Sequence, residues 1–187
     1  MSAVKQTAAA AGRAAEAPAH SRSHTIAPAM LDEFERELPT TKKFLERLPD
    51  DRLTWRPHEK SMTAGQLALH IAQSPEGVLN LSLADEAAPP DFSAGPPQPQ
   101  TRREVLDALD RSVECVRRML PAIDDDRMRS TFRVVREGET LLAMPRADFL
   151  RAILLNHWYH HRGQFGVYLR LVGAKVPSSY GPSGDEW

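Results

Sequence analysis

The sequence predicts an all-α protein: a four-helix bundle with a long crossover between its second and third helices and a small β-hairpin before the fourth. Three observations carry that prediction. Four stretches repeat apolar residues at spacings of three and four, the period of a helix with one buried face. Capping signals stand at the starts of the second and third stretches. Five of the 15 prolines fall between residues 85 and 100, a run that breaks helices and is too long for a tight turn between neighbours.

The elements follow in chain order. Residues 1–29 are rich in alanine, carry no aromatic residue, and have Val4 and Ile26 as their larger aliphatics. Such a segment cannot bury enough apolar area to offset its ordering entropy, so a disordered tail is expected before a bundle domain of residues 30–187. His20 and His24 lie in that tail and are assigned no role. The first helix, about Met30 to Leu48, repeats Leu31, Phe34, Leu38, Thr41, Leu45 and Leu48. Pro39 inside it predicts a kink or a delayed start. Beyond the linker with Trp55, Thr63 and Gln66 form a capping box, with Met62 and Leu67 as its hydrophobic staple. Ala64, Leu67, Ala68 and Ile71 line the second helix, which Pro75 is expected to bend.

After the proline-rich crossover, Thr101 and Glu104 make a second capping box. Val105, Leu109, Val113 and Val116 then mark the buried face of the third helix. The acids Asp124-Asp125-Asp126 sit side by side, so their side chains point apart, and they read as a solvated turn rather than a cation site. Residues 131–144 alternate around Glu137-Gly138 and predict the hairpin. Pro145 suits the first position of the last helix and Gly173 its C-terminal cap. That helix would span roughly 40 Å.

Composition narrows the function. A chain of 187 residues makes about one domain. The formal net charge of −1 argues against nucleic-acid binding and against a polybasic membrane anchor. Cys115 is the one cysteine, which excludes an internal disulfide and a cysteine-rich zinc site. No apolar run approaches the roughly 18 residues of a membrane span, and the N-terminus is too polar for a secretory signal. A cytoplasmic protein acting on a small molecule is expected.

Histidine carries the chemical argument. His157 and His161 are four residues apart, so both imidazoles rise from one helix face, as in helical zinc sites. They interrupt a stripe that includes Leu150, Ile153, Leu154, Tyr168, Leu171 and Val172. His70 lies beside the apolar stripe of the second helix. Spacing alone leaves two readings open: three imidazoles converging on a metal ion with one open position, or separate core histidines.

A resemblance adds to this. Leu53-Thr54-Trp55-Arg56-Pro57, Ser61-Met62-Thr63, Leu69-His70-Ile71-Ala72, Asn156-His157, His160-His161-Arg162-Gly163-Gln164, and the tail Val176-Pro177 with Tyr180-Gly181-Pro182-Ser183 stand in order. In these motifs the sequence resembles the DinB-like superfamily of small bacterial metalloproteins, from roughly Met30 to the C-terminus. The resemblance implies the bundle with its long link, and a metal triad of His70, His157 and His161. It further implies a nickel, zinc or manganese ion, and a homodimer as in many relatives. Some relatives are thiol transferases that use low-molecular-weight thiols. A metal-dependent enzyme of thiol-transferase or hydrolase type is therefore expected, with a non-catalytic metal- or small-molecule-binding stress-response protein as the alternative.

Further residues complete the expected site. His160, three residues from His157, is assigned to the rim. Gln164 continues the inward face, either orienting a ligand imidazole or a water, or simply buried. Trp55 is core or pocket wall, and Ser74, one turn from His70, could face the open position. Arg162 is a structural or interface cation in preference to a substrate-anion contact, Tyr168 packs, and Cys115 is a small buried residue. Metal binding is expected to weaken below about pH 6.5, where free imidazole protonates.

Overall fold

The computed structural model of the chain describes residues 24–91, 93 and 95–187. Most of the expected tail therefore lies outside the described residues. Helix α1 (Ile26–Glu46) begins ahead of the expected Met30 and buries Ala27, Met30, Phe34, Thr41, Phe44 and Leu45. Its start is capped from a distant part of the chain. Asp125 accepts hydrogen bonds from Thr25 N at 2.8 Å, Thr25 Oγ1 at 2.6 Å and Ile26 N at 3.0 Å. The two backbone donors are N–H groups that a helix start leaves without internal partners. Asp125 is 1% exposed, which corrects the expectation of a solvated turn. Asp124, its neighbour, caps the short helix α4 (Asp125–Arg129) by accepting from Arg127 N. Pro39 neither ends nor delays α1, because it sits on the exposed side, where water can serve the carbonyl it strips of a donor.

Helix α2 (Ala64–Ser82) opens with the expected capping box. Thr63 Oγ1 accepts from Gln66 N at 3.1 Å, and Gln66 Oε1 accepts from Thr63 N at 2.9 Å. The helix runs through Pro75. Helix α3 (Arg102–Met119) has half of such a box. Thr101 accepts from Glu104 N, but the Glu104 carboxylate takes the N–H of Gln100 rather than that of Thr101.

The fold is mostly helical rather than all-α. Strand β1 (Glu86–Ala87) lies in the expected crossover and pairs in parallel with β2 (Thr131–Arg136). Strand β3 (Glu139–Pro145) returns antiparallel to β2, giving the sheet order β1-β2-β3. The β2–β3 hairpin turns on Glu137 at φ 52° and Gly138 at φ 83°. Two successive positive φ values mark the two-residue turn whose twist matches paired strands.

The last helical stretch is not one uniform helix. It comprises α5 (Arg146–Phe149), a π-helical segment Leu150–Asn156, and α6 (His157–Leu171). Gly173 follows at φ 79°, the left-handed conformation expected of its cap. Arg146 is wholly buried and binds the ends of several elements. Its guanidinium donates to the carbonyls of Ser82 at 2.6 Å, Arg127 at 2.7 Å and Ala84 at 2.8 Å.

Helix α2 packs against α3 and α6, and α1 against α3 and α6. Their shared core includes Phe34, Leu45, Leu67, Ile71, Leu79, Leu109, Leu154, Trp158, Phe165 and Leu169. Leu171, expected to face inward, is 57% exposed. The wider i→i+5 winding before α6 shifts the phase of its faces, so the core stripe runs through Trp158, Phe165 and Leu169. No helix among the described residues is long and apolar enough to cross a membrane.

Candidate metal centre

His70 reaches the site from α2, and His157 and His161 reach it from successive turns of α6. Their Nε2 atoms converge. His70 Nε2 lies 3.4 Å from His157 Nε2, which lies 2.9 Å from His161 Nε2. The rings stand nearly perpendicular to one another, at 84°, 89° and 88°. One ligand atom from each residue can be drawn within 4.8 Å of the other two. Two nitrogens on one ion at about 2.0–2.1 Å stand roughly 3.3–3.4 Å apart at a tetrahedral angle and about 2.9 Å apart at a right angle, so the 3.4 Å and 2.9 Å spacings are within reach of a single divalent cation.

The electrostatics fit as well. All three histidines are half-buried. Burial pushes the His70 pKa down to about 4, with help from the neighbouring His161. His157 is also pushed to about 4, first by burial and then by His161, His70 and His160. His161 is lowered by burial and by His160, against an opposing hydrogen bond from Gln164. The three rings are therefore neutral near pH 7, the state in which imidazole offers a lone pair.

Gln164 fixes one of those lone pairs. Its Oε1 accepts the Nδ1 hydrogen of His161 at 2.8 Å, which leaves His161 Nε2 unprotonated and aimed at its two neighbours. Three such lone pairs facing one another repel unless a cation or a proton sits between them. His157 Nδ1, on the far side of its ring, is buried and has no hydrogen-bond partner.

The other expected site residues separate into near and remote. His160 is exposed and lies with its ring centroid 5.0 Å from that of His161, outside the three-nitrogen cluster. Ser74 is one turn along α2 from His70, and its Oγ is buried without a partner. Trp55 packs against the core at the entrance to α2 and meets Tyr168 edge-on at 5.7 Å. Arg162 is buried beside the site. It donates to the Glu37 carbonyl, Thr41 Oγ1 and the Tyr180 hydroxyl, and pairs with the Glu37 carboxylate at 2.6 Å. It thereby ties α6 to α1 and to the C-terminal tail. Cys115 lies on α3, buried, with its Sγ 3.5 Å from Met119 Sδ.

Trp158 was not among the expected site residues. It is wholly buried, stacks on Phe34 at 4.8 Å, and donates its Nε1 hydrogen to the Ile71 carbonyl at 2.9 Å. The available signal was Pro75, which leaves the carbonyl four residues earlier without a helical donor.

The chain is similar to known proteins. The family model described as the DinB family matches residues 21–187. The uncharacterized protein YrdA of Bacillus subtilis (strain 168) is 27% identical over 160 residues, covering 84% of this chain and 89% of that protein. Among solved structures, a DinB-like protein from Bacillus cereus ATCC 10987 superposes with a TM-score of 0.62 at 24% identity, over 82% of this chain and 97% of that one. YfiT from Bacillus subtilis superposes with a TM-score of 0.60 at 19% identity, over 86% of this chain and 95% of that one. YfiT is described as a probable metal-dependent hydrolase with an unusual four-helix bundle topology.

Proposed function

Because the chain belongs to the DinB family, we propose that it is a metal-dependent hydrolase with a divalent ion held by His70, His157 and His161. The observation that carries this reading is the convergence of three neutral imidazole Nε2 atoms from two helices. The description of YfiT supports the reaction type. Three histidines are a ligand set of catalytic sites, which leave a coordination position open. A divalent ion supplies Lewis acidity there, polarising a carbonyl or phosphoryl group and acidifying water.

The chain's own residues hold and shape the site. His70 and His157 bring α2 and α6 together at one point. Gln164 keeps the proton of His161 on Nδ1 and so keeps Nε2 free to bind. Ser74, one turn along α2 from His70, has a buried hydroxyl without a partner, and Trp55 packs edge-on against Tyr168 at the entrance to α2. Thiol transfer is the other reaction type that the resemblance implies, and Cys115 is no source for it, because burial raises its pKa and it packs against Met119. In that version the thiol arrives with the substrate.

The test uses protein purified without a histidine tag. Elemental analysis after incubation with nickel, zinc or manganese should find about one ion per chain, as a three-histidine site requires. His157→Ala should lose the metal and the exposed His160→Ala should retain it. A metal-to-chain ratio near zero in the wild type sinks the metal reading. Metal-loaded protein that hydrolyses no ester, amide or phosphate ester faster than His157→Ala is a binder rather than an enzyme.

A homodimer has a candidate face on the other side of α6. There a groove of about 500 Å³ runs between Gly163, Val167 and Leu171 and the tail at Pro177 and Tyr180. Val167 and Leu171 are 59% and 57% exposed. Light scattering of wild type against Leu171→Arg tests whether a second copy covers them.

A further inference from the structure

Pro75 sits in the interior of α2, where its ring nitrogen has no hydrogen to give. The carbonyl four residues earlier, that of Ile71, loses its helical donor in consequence. A buried carbonyl left in that state costs free energy. The structure supplies a donor from another helix: Trp158 Nε1 reaches the Ile71 carbonyl at 2.9 Å. Each partner is the immediate neighbour of a proposed ligand. Ile71 follows His70 on α2, and Trp158 follows His157 on α6.

The indole is held on its other side too. It is wholly buried and lies on the Phe34 ring of α1 at 4.8 Å with 19° between planes. It therefore has no room to swing away from the carbonyl. The contact also lies just past the π-helical segment, which ends at Asn156. That segment's winding departs from the α-helical ladder, so the position of His157 is not dictated by the helix upstream of it. Something beyond local helix geometry has to set His157 against His70.

We propose, on the reading that the three histidines hold a divalent ion, that Trp158 is a positioning residue for the metal site. Its N–H on the proline-freed Ile71 carbonyl fixes α6 against α2 at the level of His157 and His70. Pro75 is the other half of the device, since it creates the acceptor. The spacing of 3.4 Å between His70 Nε2 and His157 Nε2 is the quantity the contact controls. Ligand constellations tolerate errors of only about 0.5 Å.

The test compares wild type, Trp158→Phe, Pro75→Ala and the double variant as tag-free, full-length chains. Zinc affinity is measured by competition, and the cobalt(II) absorption spectrum reports coordination geometry. Trp158→Phe keeps an aromatic ring against Phe34 and removes the donor. It should weaken zinc binding about 10–100-fold, as loss of a residue that orients ligands does, and change the cobalt spectrum. Pro75→Ala restores a backbone N–H to Ile71, so the double variant should bind zinc within about twofold of Pro75→Ala alone. A loss of packing alone would add in the double variant to whatever Pro75→Ala costs. Zinc binding by Trp158→Phe equal to wild type, or a double variant about tenfold or more weaker than Pro75→Ala alone, overturns the proposal. If Trp158→Phe does not fold, the double variant should, and failure of both to fold also overturns it. A wild-type chain that binds no zinc overturns the metal reading and this proposal together.

Discussion

Gln164 accepts the Nδ1 hydrogen of His161 at 2.8 Å, one turn along the same helix. That bond selects the tautomer in which His161 Nε2 carries a lone pair toward His157. Without it the ring can protonate on Nε2 and rotate, and the site loses a ligand. Gln164→Ala should lower zinc affinity about 10–100-fold while Gln164→Glu, which keeps an acceptor, retains binding at pH 7. Competition against a chromophoric chelator measures both. Equal affinity in Gln164→Ala and wild type would show that the bond does not matter to the site.

The histidines also make the metal-free protein sensitive to acid. His70 and His157 have pKa values of about 4 in the folded chain, against about 6.5 for free imidazole. Between these values the unfolded chain binds more protons than the folded one, so stability rises with pH across the window. Acidification from about pH 6.5 toward 4 should therefore lower the melting temperature. The carboxylates of Glu33 and Glu35, held low by Arg151 and Arg117, add their own loss only below the usual carboxylate range. Thermal melts of wild type and His157→Ala from pH 7 to 5 separate the contributions, and the variant should show the shallower slope. The same shift bears on the pH at which metal is expected to be lost. Burial lowers all three imidazoles, so proton competition for the metal should set in below pH 6.5.

Asp125 offers a test of the fold itself. It closes the start of α1 with three hydrogen bonds from a position 100 residues away. Asp125→Ala leaves two backbone N–H groups and a hydroxyl without that acceptor, which should cost about 1–3 kcal/mol. In a chain of this size that lowers the melting temperature by roughly 2–12 °C. Circular dichroism melts at pH 7 measure it. Asp125→Asn keeps one acceptor oxygen and should recover part of the loss.

The parts of this molecule that were legible from sequence are those written in local periods. His157 and His161 are four residues apart, which is a statement about one helix turn, and His70 stood out by interrupting an apolar stripe. The hairpin turn at Glu137-Gly138 and the capping box at Thr63 and Gln66 are equally local. The parts that escaped depend on distance or on geometry without a residue signature. Asp125 acts on Thr25 across the whole bundle, so its neighbours in sequence argue only for a turn. A strand of two residues, Glu86–Ala87, has no alternation to read. The i→i+5 winding of Leu150–Asn156 uses ordinary helix formers and leaves no residue signature.

Two helical glycines should respond to alanine with opposite signs. Gly163 on α6 is exposed, and a methyl group there meets nothing within 4 Å. Alanine is favoured over glycine in a helix by about 0.5–1 kcal/mol, so Gly163→Ala should raise the melting temperature by roughly 1–4 °C. Gly65 in the first turn of α2 donates its N–H to the Leu53 carbonyl at 2.8 Å. A methyl group on it would stand 2.9 Å from that carbonyl oxygen and 2.8 Å from Gln98 Nε2. The carbonyl is backbone and cannot swing aside, so the linker carrying Trp55 has to move. Gly65→Ala should therefore cost about 1–3 kcal/mol and lower the melting temperature by roughly 2–12 °C. Melts of the two variants at equal concentration decide the matter. Loss of stability in Gly163→Ala would mean that its open face is covered in solution, as contact with a second copy along Val167 and Leu171 would do.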